Sequence, residues 1–110
     1  MAMKTEYTEK APTREAVDAM SGAVVLDFGT NWCGHCNAAR PFVDQVLGPH
    51  DGVVHVKVED GSGRPLGRSF HVKLWPTLVF LHDGSEVARV VRPTAAAPIE
   101  AALAQIVPRG

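Results

Sequence analysis

The amino-acid sequence predicts an α/β domain in which a central mixed β-sheet is flanked by helices on both faces. Two continuous apolar runs, Ala23–Phe28 and Thr77–His82, have the character of strands covered on both sides. A helical pattern from Cys33 to Leu47 joins the first run to an alternating strand, Val53–Glu59, which is the β-α-β order of a parallel crossover. Asp83-Gly84 follows the second run at once and marks a tight hairpin turn.

Each element has its own signal. Thr13–Met20 reads as a short helix capped by Thr13 and ended by Ser21-Gly22. Within Cys33–Leu47 the residues Phe42, Val43, Val46 and Leu47 share one stripe, Pro41 is expected to kink the helix, and Gly48-Pro49 ends it. Along the next strand Val54, Val56 and Val58 share one face, and His55 and Lys57 the other. Gly61-Ser62-Gly63 opens a loop before a weak helical segment at Leu66–Phe70. Ser85–Val91 returns as the antiparallel partner of Thr77–His82. Pro98 is expected at the start of a closing helix that carries Ile99, Leu103 and Ile106 at helical spacing.

The bulk numbers suit one domain spanning residues 1–110. The chain is 45% hydrophobic and 21% charged, with eleven basic and twelve acidic side chains and a formal net charge of -1. That balance favours neither nucleic acid nor an anionic membrane surface, and no apolar stretch approaches the roughly 18 to 20 residues that cross a bilayer. The start, Met1–Tyr7, is polar and lacks an apolar signal-peptide core, so the expected compartment is the cytoplasm and the expected state a monomer. The only two cysteines stand three positions apart. A disulfide-stapled secreted domain spreads several along its length, and a bridge across so small a loop constrains the unfolded chain little. Chemistry explains this pair better than scaffolding does.

Cys33 falls where the first buried strand meets the following helix. Unpaired N–H groups and the positive end of the helix dipole stabilise a thiolate at that point. Cys36, one turn on, is within reach of any mixed disulfide that Cys33 forms. Cys33 is therefore the nucleophile and Cys36 the resolving thiol. Gly34 permits a tight turn, and His35 sets an imidazole beside the dithiol; by favouring the reduced form it would make the couple more oxidising. A zinc site would need about four ligands, and His50, His55, His71 and His82 follow no ligand spacing. Covalent haem attachment would need histidine directly after Cys36, where Asn37 stands. No metal and no cofactor is expected beyond the redox-active pair.

Asp27 interrupts an apolar strand six positions before Cys33, on the side of Val25. Burying a carboxylate is costly unless it is paired or protonated, which suits Asp27 to proton exchange with Cys36. An acid at an exposed strand end is the other reading.

With these residues in place, the chain resembles the thioredoxin family over nearly its whole length. Val25-Leu26-Asp27-Phe28, Trp32-Cys33-Gly34-His35-Cys36 and Trp75-Pro76-Thr77-Leu78 carry the likeness, with Pro41, Asp83-Gly84 and Lys57 also fitting. The resemblance implies a thioredoxin fold and a cis-proline at Pro76 facing the dithiol. It implies a substrate groove lined by Trp32, Gly34, Trp75, Pro76 and Thr77, where free backbone groups pair with an extended segment. Asp27 becomes the family's buried acid and Lys57 its neighbour on the next strand. A snorkelling surface position is the other reading for Lys57, and a satisfied histidine at the helix–sheet boundary is the reading for His55. Three departures stand out: Gly34-His35 replaces the Gly-Pro usual between the cysteines, Gly29 replaces an aromatic residue, and Arg92-Pro93 replaces a glycine.

Dithiol couples of this kind range from about −270 mV for thioredoxin to about −180 mV for protein disulfide isomerase, roughly 4 kcal/mol apart. His35 points toward the oxidising end and a cytoplasmic setting toward reduction. The expectation is a reductase of disulfide-containing protein substrates, recharged by an upstream reductase or oxidase. A disulfide oxidase or isomerase, and a redox-sensing binding module, are the alternatives.

Overall fold

The computed structural model describes residues 7, 8 and 10–107. The polar start that bears on compartment lies, up to residue 6, outside the described residues. The elements run α1 (Arg14–Asp18), β1 (Ala23–Gly29), α2 (Gly34–Leu47), β2 (Val54–Glu59), α3 (Pro65–Ser69), β3 (Thr77–His82), β4 (Ser85–Val91) and α4 (Ala96–Leu103). The sheet has the order β2-β1-β3-β4, with β1 parallel to β2 and antiparallel to β3, and β3 antiparallel to β4.

The apolar runs become the two central strands because only they are covered on both faces. Val25, Leu78 and Phe80 pack on one side against Ala39, Val43, Val46 and Leu47 of α2 and Ile99, Ala102 and Leu103 of α4. Val24, Leu26, Phe28, Val79 and Leu81 pack on the other against Val17 of α1, Leu66 of α3 and Phe70. Period-2 alternation thus divides each strand between two cores.

Local chemistry sets the element ends. The Thr13 hydroxyl accepts the Ala16 amide and caps α1. The chain then docks on the hairpin turn, where Gly22 N–H donates to Asp83 Oδ1 at 2.7 Å and Asp83 N–H to the Gly22 carbonyl at 3.0 Å. Gly84 has φ +82°, and a Cβ there would lie 2.1 Å from the Asp18 carbonyl oxygen, so only glycine lets α1 approach. Pro41 stands inside α2 and the helix continues past it. The closing helix departs from expectation: α4 begins at Ala96, with extended Ala95 before it, so Pro98 lies within the first turn rather than at its start. First-turn amides have no helical acceptor, so proline loses nothing there.

The segment before α1 joins the sheet. Thr8 forms an isolated parallel bridge with Val58: its N–H donates to the Lys57 carbonyl, and its own carbonyl accepts the Glu59 amide. Tyr7 is tied down beside it, its N–H donating to Asn31 Oδ1 at 2.8 Å.

Candidate active site

Cys33 is the N-cap of α2, extended at φ -79° and ψ 122°, and its sulfur accepts the Cys36 N–H at 3.4 Å. A cysteine thus occupies a position usually held by Ser, Thr, Asp or Asn, and the Cys36 N–H that would serve an oxygen cap points to sulfur. Both thiols are free; Cys33 is half-buried and Cys36 buried. Burial pushes the Cys36 thiol up to about 12, and the adjoining Cys33 sulfur adds to the effect. The Thr30 backbone and the Tyr7 hydroxyl, close to the Cys36 sulfur, act in the opposite sense.

Beneath the dithiol lies a closed polar cluster. Asp27 and Lys57, register partners on β1 and β2, are each 2% exposed. Exposure at a strand end is thereby overturned for Asp27, and surface snorkelling for Lys57. The Tyr7 hydroxyl donates to Asp27 Oδ1 at 2.9 Å, and His55 Nε2 lies 3.1 Å from Oδ2. The Lys57 ammonium sits over the Tyr7 ring, 4.7 Å from its centroid. His55 is a satisfied histidine, and its partner is the acid of the site itself. Parallel pairing explains this: Val25 faces His55 and Asp27 faces Lys57, so His55 is the diagonal neighbour of Asp27.

Gly29 explains how the tyrosine fits. A Cβ there would lie 2.5 Å from Cys36 Sγ and 2.8 Å from both Tyr7 Cζ and Tyr7 Oη. The aromatic ring missing after Phe28 is supplied from the segment before α1, by Tyr7. The sequence reading missed this residue, whose hydroxyl meets an acid 20 positions away with no periodicity to announce it. Only the unexpected glycine hinted at a gap to be filled.

The rim is built from two loops. Trp32 is 75% exposed and meets Trp75 edge to face, centroids 5.9 Å apart. The Trp75–Pro76 peptide bond is cis. Trp75 Nε1 donates to Asp60 Oδ2 at 2.9 Å, which fixes the indole beside a cleft lined by Arg64, Arg68, His71 and Lys73. His35 is exposed, and Gly34 faces open space.

Two expectations for the groove are corrected. Thr77 is buried and its hydroxyl donates to the Leu74 carbonyl at 2.6 Å, so it braces the loop rather than facing a substrate. The Trp75 carbonyl is not free, because Arg92 Nε donates to it at 2.8 Å; the Arg92 amide also donates to the Pro76 carbonyl. Arg92 reaches them from the end of β4, and nothing local in the sequence announces that span.

A thiol capping a helix at the end of a buried strand, with a second thiol one turn on and a cis-proline loop alongside, defines a thioredoxin-fold thiol–disulfide oxidoreductase. The Thioredoxin family model matches residues 4–105, and the chain belongs to the thioredoxin family. It is 55% identical to thioredoxin 2 from Pseudomonas aeruginosa PAO1 in its reduced form, with a TM-score of 0.83, covering 94% of this chain and 95% of that one. It is 36% identical over 73 residues to thioredoxin from Chlamydia pneumoniae, covering 64% of this chain and 70% of that one. Thioredoxin-1 of Caenorhabditis elegans is 31% identical over 64 residues, and there the match spans 56% of the relative's length. The family works through a redox-active cysteine pair without a further cofactor. No helix among the described residues is long and apolar enough to cross a membrane.

Proposed function

We propose that this chain is a cytoplasmic, monomeric protein-disulfide reductase whose Cys33–Cys36 pair is recharged by an upstream reductase. The observation that carries the reading is the asymmetry of the two thiols: one accessible at a helix cap, the other buried one turn away. Cys33 thiolate attacks a substrate disulfide, forming a mixed disulfide and releasing one substrate thiolate. Cys36 then attacks Cys33 Sγ, the Cys33–substrate bond breaks, and the second substrate thiolate leaves. Two electrons pass to the substrate, and Cys33–Cys36 becomes the disulfide.

In this reading Asp27 takes the proton that Cys36 must lose, and Lys57 holds the carboxylate's surroundings. His35 tunes the couple from the rim. Trp32, Gly34, Trp75 and Pro76 receive the substrate segment, with Trp75 held in place by Asp60. The reducing character of the cytoplasm supports the direction, since disulfides there are mainly consumed.

Reduction of insulin by dithiothreitol, followed by turbidity, tests the proposal. The protein should accelerate precipitation and Cys33→Ser should abolish the effect. Turnover at background with both thiols accessible would sink the reductase reading.

A further inference from the structure

We propose that Tyr7 is a catalytic residue that conducts the Cys36 proton to Asp27, with His55 as the outlet to solvent. The inference deepens the reductase reading and rests on it. Its geometry is a continuous chain. Cys36 Sγ and the Tyr7 hydroxyl close on one another beside Gly29, the hydroxyl donates to Asp27 Oδ1, and Asp27 Oδ2 meets His55 Nε2. Tyr7 and Cys36 converge on the one spot that Gly29 leaves open.

A hydroxyl is suited to this place because it donates and accepts at once. Burial, followed by the neighbouring Asp27 charge, holds the Tyr7 phenol far above its ordinary range. The residue therefore stays neutral and passes a proton without keeping one. During resolution the Cys36 thiol proton moves to Tyr7 Oη as the Tyr7 proton moves to Asp27 Oδ1. Cys36 Sγ forms its bond to Cys33 Sγ, and the electron pair of the broken bond leaves on the substrate sulfur. Asp27 ends protonated, and it returns that proton through His55, whose side chain is 16% exposed. Charge is conserved throughout, and no oxidant beyond the mixed disulfide is needed.

Tyr7 also supplies what a buried thiol lacks. Cys36 is 3% exposed and sits where its thiolate is disfavoured, so hydroxide has little access to it. The described titratable groups facing this pocket are Asp27 from β1, His55 and Lys57 from β2, and Cys33 and Cys36 at the start of α2. Of these, Asp27 is the one carboxylate hydrogen-bonded to the hydroxyl.

Tyr7→Phe deletes the oxygen and keeps the ring over Lys57. The test mixes reduced protein with 5,5′-dithiobis(2-nitrobenzoate) in a stopped-flow instrument. The first thionitrobenzoate released reports attack by Cys33, and the second reports resolution by Cys36. The variant should leave the first phase unchanged and slow the second at least about tenfold near neutral pH, within the usual range for a lost acid–base partner. Its second phase should then climb close to tenfold per pH unit, as expected for hydroxide, while the wild-type profile stays shallow. Asp27→Asn should slow the same phase, and the double variant should be no slower than the worse single one. A second phase that is unchanged in Tyr7→Phe, or two phases slowed alike with the wild-type pH profile, would overturn the relay. Insulin turnover by the wild type reads the reductase proposal separately, so either idea can fail without the other.

Discussion

At the scale of single residues, the two thiols and the tyrosine beside Cys36 make pH the most informative variable. The Cys36 thiol rises from 9.0 to about 12 on folding, so the native state holds its proton more tightly than the unfolded chain. That contribution is fully present below about pH 9 and is lost as pH climbs toward 12. Tyr7 is raised in the same sense, by burial and then by Asp27, and adds a loss in the alkaline range. The reduced protein should therefore show a falling urea midpoint above about pH 9, and Cys36→Ala should show a smaller fall. A midpoint flat to pH 11 would contradict the burial argument. Gly29 offers a steric counterpart. Gly29→Ala puts a methyl against Cys36 Sγ and the Tyr7 ring, and should cost about 1–3 kcal/mol by overpacking while slowing resolution. Chemical denaturation and the second thionitrobenzoate phase would read the two effects.

At the scale of elements, contacts between the ends of different elements matter more than their interiors. Gly84→Ala drives a Cβ into the Asp18 carbonyl at a left-handed φ, so it should cost more than about 1 kcal/mol and loosen α1 from the hairpin. Hydrogen exchange at the Val17 amide, which is bonded to the Thr13 carbonyl, would show the loosening directly. At the end of β4, Arg92 has φ 49° and holds the Trp75 carbonyl. Arg92→Gly relieves the backbone and frees that carbonyl, so KM for insulin should fall while stability stays within about 1 kcal/mol. An unchanged KM would mean that substrates do not pair with this loop. The same contrast explains what the sequence made legible. Ala23–Phe28, Thr77–His82 and Asp83-Gly84 are local patterns, and β1, β3 and the hairpin follow from them. Cys33 and Cys36 were legible because their chemistry lies in their spacing. Tyr7, His55, Asp60 and Arg92 act across the sheet or between loops, and such pairing is fixed by register and tertiary packing. Pro98 and Thr77 show a related limit: residue type placed them near the right element, and first-turn tolerance and a loop carbonyl decided their exact setting.

At the scale of the whole molecule, the sheet separates two cores and the chemistry sits at one end of it. Phe80 is fully buried in the core shared with α2 and α4, so Phe80→Ala should cost about 3–5 kcal/mol, a large share of the 5–15 kcal/mol typical of a domain. Loss of less than about 1 kcal/mol would contradict the close packing of Phe80 in that core. The margins of the sheet bear on assembly. On the β2 side Thr8 occupies part of the outer ladder, and on the other side β4 carries Glu86 and Arg89 paired to each other, beside a register shift at Phe80/Leu81. A foreign strand approaching either margin meets an occupied position or a charged, irregular one, so lateral stacking into fibrils is disfavoured. The stub of chain that delivers the tyrosine thereby also guards the sheet against polymerisation.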